Sequence, residues 1–120
     1  MAKIINFPSF KDSRGSLAVI EKIARFEIRR VYFIYQTNGE PRGAHRHKQT
    51  KQILVAVSGA CKVKCSNGKT QASYLLNDPS MGLIVEASDW HEMTDFSDNC
   101  VLVILANKEY DREDYIYDEY

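Results

Sequence analysis

Short apolar stretches, rich in β-branched and aromatic residues, recur along the chain and are separated by turn residues. Such stretches are typical of β-strands, because their side chains pack well on the faces of a pleated sheet. Helical periodicity does not last beyond a turn or two, except in EKIARF and in the acidic tail EYDREDYIYDEY. The pattern therefore predicts an all-β fold with few or no helices. The predicted strands are LAVIE, IRRVYFIY, QILVAVSG, CKVKC, QASYLL, GLIVE and CVLVILA.

The stretch that follows Ala60 predicts a hairpin. Apolar residues and lysines alternate in CKVKC, which places one kind of side chain on each face of the strand. The pair Asn67-Gly68 comes next, and Asn-Gly is the pair that a two-residue type I′ turn favours. Many short antiparallel strands at regular spacing predict a jelly roll or a small barrel.

Length and charge narrow the class of protein. A chain of 120 residues suits one domain with a modest core, so we predict a single domain over residues 1–120. Basic and acidic residues balance at 16 each, so a nucleic acid polymer is not an expected partner. The apolar runs are too short to span a membrane and the N-terminus lacks a signal-peptide pattern, which predicts a cytoplasmic protein without a membrane partner. The cysteines are expected to be reduced and buried: Cys61, Cys65 and Cys100.

Two of the three histidines are one residue apart in EPRGAHRHKQTKQ. The spacing Gly39-x5-His45-x-His47-x4-Gln52-x6-Gly59 resembles the first sequence motif of the cupins, with Gln52 where glutamate is usual. Residues i and i+2 of a strand share a face, so both histidines should point into the barrel, with Gln52 returning on the next strand. The motif predicts a cupin-type double-stranded β-helix, which is a jelly roll with an internal pocket.

The third histidine takes the place of the second cupin motif, which is roughly a turn followed by a histidine. His91 in DPSMGLIVEASDWHEMTD fits this description, so all three histidines should converge in one pocket. A cupin metal centre commonly adds a carboxylate to three imidazoles, and the neutral Gln52 weakens the case for a metal without excluding it. Metal-free imidazoles in a partly dry barrel are expected to titrate near neutrality, which suits a general base.

Nearly the whole chain resembles the nucleotide-sugar 3,4-ketoisomerases, which act on dTDP-4-keto-6-deoxyglucose. The specific strings are PRGAHRHK and WHEMTDFS, and the resemblance extends over DSRGSLAVIE, RRVYFIY, SMGLIV, VLVILA and YDREDYI. It implies a cupin enzyme, independent of metals and cofactors, that moves the keto group from C4 to C3 through an enediol. It also implies a homodimer that exchanges N-terminal strands between subunits.

The resemblance assigns roles to the histidines and leaves the binding residues as candidates. His45 is the base for the C3 proton, His47 orients the sugar oxygens or relays protons, and His91 is a third active-site histidine. A guanidinium can grip phosphate oxygens bidentately, so arginines are candidates for the diphosphate or the sugar. The two tyrosines below have opposite strand parity, so at most one should face the pocket unless a bulge intervenes. The substrate-binding candidates are Arg14, Arg42, Tyr32, Tyr35, Gln52 and Trp90.

The resemblance also implies a stereochemical outcome at C4. Galacto-forming members pair an arginine in SRGSL with a histidine before EM, whereas gluco-forming members tend to carry tyrosine and arginine there. Arg14 and His91 match the galacto pair. The implied product is dTDP-3-keto-6-deoxygalactose, which would feed the biosynthesis of a 3-amino-3,6-dideoxy sugar of a glycan.

Two other functions stay open at this point. A metal-dependent cupin enzyme could use His45, His47, Gln52 and His91 as ligands, and metal analysis would separate it from the metal-free enzyme. A cupin could also bind a nucleotide sugar without turning it over, in which case the C3 hydrogen would not exchange with solvent.

Overall fold

The computed structural model describes residues 1–23 and 25–120, and its regular elements are almost all strands. The all-β prediction is therefore confirmed. The elements are β1 (Lys3–Asn6), β2 (Ser9–Asp12), β3 (Gly15–Ala18), β4 (Arg30–Ile34), β5 (Arg42–His47), β6 (Gln52–Ser58), β7 (Cys61–Ser66), β8 (Gln71–Leu76), β9 (Met81–Val85), β10 (Trp90–Thr94), β11 (Val101–Ala106), a 3-10 turn (Arg112–Asp114) and β12 (Tyr115–Ile116).

Ten strands form two five-stranded sheets, and β2 and β3 form a separate hairpin. The first sheet has the order β1-β9-β6-β11-β4 and the second the order β12-β5-β10-β7-β8. The strand pairs are antiparallel, and sequence neighbours are often on different sheets, as in a jelly roll. The sheets enclose the main core, in which alternate residues of β6 and β11 point inward: Leu54, Ala56, Leu102 and Ile104.

Strand β6 is buried on both faces, which explains why QILVAVSG is continuously apolar instead of alternating. Ile53 and Val55 point to the outer face of the first sheet, where a second apolar cluster forms. The segment after β3 covers this face with Ile20, Ile23 and Phe26. The chain before β4 therefore acts as a third layer over part of the sheet.

The structure corrects three local expectations. The strand predicted at LAVIE ends at Ala18. The described residues of EKIARF are not helical, and Ala24 lies outside the described residues. The prediction of a two-residue type I′ turn at Asn67-Gly68 is wrong. Ser66 pairs with Gln71, so a four-residue loop joins β7 and β8. The side-chain oxygen of Asn67 accepts the amide hydrogens of residues 69 and 70, an alternative that a two-residue turn does not offer.

The β2–β3 hairpin and the outer surface carry exposed apolar side chains. Phe10 and Leu17 pair across the hairpin and are 62% and 58% exposed.

The three cysteines are buried and free, as expected. Among the described residues, the structure has no helix with the length and apolar character needed to cross a bilayer.

Candidate active site

A β-bulge in β5 positions the first pair of histidines. His45 pairs directly with His91 on β10, and the next pair is Gly43 with Glu92. Ala44 is therefore an extra residue on β5, and its φ of 60° lies in the left-handed region. Bulges bend a strand and redirect its side chains, and they are frequent beside active sites.

Gly43 allows the bulged strand to lie close to β10. A Cβ built on Gly43 would lie 3.0 Å from the backbone oxygen of His91 and 3.3 Å from Sδ of Met93, and its φ is +87°. A larger residue would have to displace backbone atoms and adopt a strained conformation. The close approach of the two strands and the positive φ thus explain why the PRGAHRHK string has a glycine at position 43.

The structure brings the three histidines together at the end of the barrel. The ring centroid of His45 lies 5.0 Å from that of His47 and 5.0 Å from that of His91, and the last two are 6.0 Å apart. One nitrogen from each ring lies within 4.8 Å of the corresponding atoms of the other two. The three rings therefore lie close together, as predicted, although His47 does not line the cavity described below.

Hydrogen bonds to the three rings define which nitrogen carries the proton. Nδ1 of His45 donates to the carbonyl oxygen of Gly43 at 3.1 Å, and Nδ1 of His91 donates to that of Asp89 at 3.1 Å. Nδ1 of His47 lies 2.9 Å from a carboxylate oxygen of Asp114. A carbonyl or carboxylate can only accept, so each neutral ring keeps a lone pair on Nε2. All three histidines therefore present a basic nitrogen.

Burial keeps the rings uncharged near neutral pH. It lowers the pKa of His45 to about 4, with the neighbouring His47 adding to the effect. It lowers the pKa of His91 to about 3, helped by His45. Burial also lowers the pKa of His47, although Asp114 opposes the change. His45 and His91 therefore do not titrate near neutrality in the ligand-free protein, contrary to expectation, because both rings are buried.

A cavity of about 210 Å³ opens beside His45 and His91. Its walls come from both sheets, and polar and apolar side chains line it together. The lining residues are Tyr32, Phe33, Ile34, Arg42, Gly43, His45, Gln52, Leu54, His91, Met93, Ile104 and Tyr115.

Three of the six binding candidates line this cavity. Nε2 of the buried Gln52 donates to the hydroxyl oxygen of Tyr32 at 2.6 Å. Burial raises the pKa of Tyr32, so the phenol keeps its proton and can donate it into the cavity. Arg42 is exposed at the start of β5 and brings a positive charge to the cavity wall.

The other three candidates lie outside the cavity of this chain. Tyr35 is 57% exposed and follows β4 with the parity opposite to that of Tyr32, so only one tyrosine faces inward. Trp90 precedes His91 on β10 and therefore points to the opposite face, where it lines a shallow groove. Arg14 lies on the β2–β3 turn and forms a 2.6 Å ion pair with Asp12 in solvent.

Sequence reasoning missed the contribution of the C-terminal segment. Asp114 bonds to His47, and the Tyr115 ring lies 4.7 Å from the His45 centroid and 4.6 Å from that of His47. The helical periodicity of EYDREDYIYDEY does not correspond to an α-helix: the segment forms a 3-10 turn and the strand β12 beside β5. Its only signal was the string YDREDYI, which had marked the resemblance but not a site.

The jelly roll and its internal cluster of three histidines are typical of a cupin-type protein. Residues 1–120 match the family described as FdtA: WxcM-like, C-terminal. The chain belongs to this family.

Three relatives illustrate the match. The TDP-4-oxo-6-deoxy-alpha-D-glucose-3,4-oxoisomerase of Aneurinibacillus thermoaerophilus is 47% identical over 123 residues, which cover 98% of this chain and 88% of the relative. The WlaRB TDP-quinovose 3,4-ketoisomerase of Campylobacter jejuni is 40% identical, with a TM-score of 0.92 and coverage of 98% and 92%. A double mutant of the QdtA 3,4-ketoisomerase of Thermoanaerobacterium thermosaccharolyticum, in complex with TDP, is 38% identical, with a TM-score of 0.93 and coverage of 98% and 87%.

Proposed function

We propose that this chain is a 3,4-ketoisomerase of dTDP-4-keto-6-deoxyglucose that uses histidine acid/base catalysis. The relatives are isomerases of TDP-linked keto sugars, and the match extends over nearly the whole chain. The observation that carries the proposal is the Nε2 lone pair of His45 at the cavity, with its Nδ1 held by the Gly43 carbonyl.

The reaction needs a base beside C3. The hydrogen on C3 of a 4-keto sugar is acidic because its removal gives an enediolate. After a proton moves from O3 to O4, protonation at C4 leaves the ketone on C3. A neutral imidazole with a fixed tautomer can take this proton on Nε2. Because burial lowers the pKa of His45 to about 4, the ring is unprotonated at neutral pH in the ligand-free protein.

The charge that develops on O4 needs a hydrogen-bond donor. Tyr32 lines the cavity, and its oxygen already accepts from Gln52 at 2.6 Å, which leaves the phenolic hydrogen free to donate. Donors already fixed at the position of a developing oxyanion stabilise a transition state without reorganisation. Tyr32 therefore donates the hydrogen bond to O4, and Gln52 orients the Tyr32 hydroxyl.

Proton return to C4 falls to the histidine cluster. Once His45 has taken the C3 proton, it becomes an imidazolium. The ring centroids of His47 and His91 each lie 5.0 Å from that of His45. The proton can then return to C4 from His45 or pass through a neighbouring imidazole. His47 orients the sugar oxygens or relays protons. His91 is the third active-site histidine and faces C4 of the sugar.

Substrate binding requires groups that this chain alone does not bring to the cavity. Arg42 stands at its wall, but Arg14 lies on the β2–β3 hairpin. Phe10 and Leu17 expose the apolar face of that hairpin, and a twofold-related copy would bury it. We infer a homodimer that exchanges the N-terminal strands, so that Arg14 reaches the diphosphate or sugar in the partner's site.

We infer a galacto product, dTDP-3-keto-6-deoxygalactose. Arg14 and His91 form the pair that is typical of galacto-forming members. The WlaRB relative is a TDP-quinovose 3,4-ketoisomerase, and quinovose belongs to the gluco series, so overall identity does not choose the epimer. The choice therefore depends on these two residues, and the product would serve a 3-aminotransferase in glycan biosynthesis.

A metal-dependent cupin enzyme is the second candidate, because the three imidazole nitrogens lie within 4.8 Å of one another. His45, His47 and His91 could hold zinc or iron, which would act as a Lewis acid on the substrate. The fourth position is the neutral Gln52, and its amide nitrogen is already bonded to Tyr32. The missing carboxylate favours the metal-free reaction.

The test is incubation with dTDP-4-keto-6-deoxyglucose in deuterated water, followed by mass spectrometry and NMR. The isomerase should replace the C3 hydrogen with deuterium and form a 3-keto product. Binding without exchange would mean that the protein only binds the nucleotide sugar, which is the non-catalytic alternative.

A further inference from the structure

We propose that Asp114 is a positioning residue for the isomerase reaction, which it serves by holding His47 with Nδ1 protonated and Nε2 free to accept a proton. This inference deepens the proposed function and depends on it. It assigns a role to the C-terminal segment 111–117, which lies outside the cupin motifs.

The contact between the two residues is buried and short. Nδ1 of His47 lies 2.9 Å from Oδ2 of Asp114, and the side chains are 1% and 10% exposed. At this burial, water does not compete for the hydrogen bond. An imidazole held this way has one defined tautomer and one defined ring orientation.

Only an ionised carboxylate satisfies the donors around Asp114. Its Oδ1 accepts the backbone N–H of Gln49 at 2.8 Å, and its Oδ2 accepts the hydroxyl of Thr50 in addition to the His47 ring. Burial alone would raise the pKa of Asp114, but these hydrogen bonds lower it below its usual value. Three donors therefore converge on a group that can only accept, and an amide would place an N–H against at least one of them.

The local fold delivers this carboxylate to His47. Asp111 caps the 3-10 turn by accepting the amide hydrogen of Glu113 at 3.0 Å. The carbonyl oxygen of Asp114 accepts the amide hydrogen of Lys48 at 2.8 Å, and Tyr115 then pairs with His47 as β12 joins β5. The segment is thus held by backbone bonds on both sides of Asp114.

The free end of the His47 ring indicates what the positioning is for. Nε2 of His47 is buried, and no described residue forms a hydrogen bond with it. A buried acceptor without a partner is costly, so a fold retains it where a ligand or a proton occupies it during function. When Nε2 takes a proton from the His45 imidazolium, the adjacent carboxylate stabilises the charged ring and itself stays ionised.

The experiment compares Asp114→Asn with Asp118→Asn, which makes the same change at an exposed position of the tail. Steady-state rates with dTDP-4-keto-6-deoxyglucose give kcat and KM, and long-range 1H–15N NMR spectra report which nitrogen of His47 is protonated. We expect Asp114→Asn to lower kcat by about 10²-fold with KM changed less than about threefold, and to shift the His47 proton toward Nε2. Asp118→Asn should behave like the unmodified protein.

Two results would overturn the inference. One is an unmodified protein in which Nε2 of His47 carries the proton, a measurement that does not require the variant to fold. The other is a folded Asp114→Asn variant that keeps its kcat, or that loses activity while the His47 tautomer is unchanged. If the unmodified protein shows the expected tautomer but no exchange of the C3 hydrogen, the proposed function fails, and the catalytic role of Asp114 fails with it.

Discussion

His45 and His91 are direct partners across β5 and β10, and their rings meet edge to face with centroids 5.0 Å apart. Burial lowers the pKa of both rings, with His47 adding to the effect on His45, and with His45 adding to the effect on His91. The pair is thus held in the neutral form until a substrate brings negative charge, which is the state that a base needs.

The first prediction concerns the base. His45→Asn should lower the rate of C3 hydrogen exchange by about 10²–10⁴-fold, because the amide cannot accept the proton while the remaining site is unchanged. Calorimetric titration with TDP should show nearly unchanged affinity, which separates a loss of chemistry from a loss of binding. A variant that keeps most of its exchange rate would remove His45 from the role of base.

The second prediction concerns stability against pH. The folded-state pKa values of His45 and His91, about 4 and about 3, lie below the ordinary value of 6.5. The unfolded chain therefore binds more protons as the pH falls below 6.5, and stability that is present above this pH is lost on acidification. Each such histidine contributes a slope of up to about 1.4 kcal/mol per pH unit.

Denaturant unfolding at pH 7, 6 and 5 measures this slope, in a range where most carboxylates are still ionised. His91→Gln removes one titrating group and should show a shallower decrease in the free energy of unfolding over the same range. Equal slopes for the two proteins would show that His91 is not held neutral in the folded state.

The third prediction concerns metals. Since the motif position that usually supplies a carboxylate ligand holds the neutral Gln52, protein purified without added metal should hold far less than one equivalent of iron or zinc. Treatment with a chelator should leave the isomerase rate unchanged. Stoichiometric metal together with activity that a chelator abolishes and metal restores would favour the metal-dependent enzyme.

The fourth prediction concerns the dimer and the partner in which Arg14 acts. His45→Asn and Arg14→Ala should each be poorly active, but a mixture that has exchanged subunits should recover about a quarter of the original activity. In a mixed dimer, one site combines an intact His45 with an intact Arg14 from the other subunit. No recovery in verified mixed dimers, or a monomeric mass at micromolar concentration, would contradict the exchange of strands.

The sequence predicted the fold class from local rules, and the three-histidine cluster from its resemblance to the two cupin motifs. Strand alternation places His45 and His47 on one face, and the apolar runs mark the buried strands. The sequence could not show that Asp114 reaches His47, because that contact joins residues 67 positions apart. It also overestimated the pKa values of the histidines, since the extent of burial depends on how both sheets and the C-terminal segment close around them.

The position of Trp90 shows a second limit. It stands next to His91 in the specific string WHEMTDFS, yet adjacent residues of a strand face opposite sides, so the structure places it in a groove away from the histidines. Arg14 shows a third, because its proposed role depends on a second copy of the chain.

The last prediction concerns the configuration at C4. Protonation of the planar enediol from one face gives the galacto epimer and from the other face the gluco epimer, so the groups that line the cavity on the C4 side decide the product. His91 lines the cavity with Nδ1 fixed by the Asp89 carbonyl at 3.1 Å, and we propose that this ring faces C4. An arginine in its place would be larger and permanently charged, and would change both the tilt of the sugar and the donor nearest C4.

We therefore expect the galacto product from the unmodified protein and a shift toward the gluco product in the double variant Arg14→Tyr, His91→Arg. The unstable 3-keto sugar can be trapped with a 3-aminotransferase, after which proton NMR gives the coupling between H3 and H4. A small coupling marks the galacto epimer, in which H4 is equatorial. A large axial-axial coupling in the product of the unmodified protein would show that the C4 assignment is wrong, while leaving the isomerase activity itself intact.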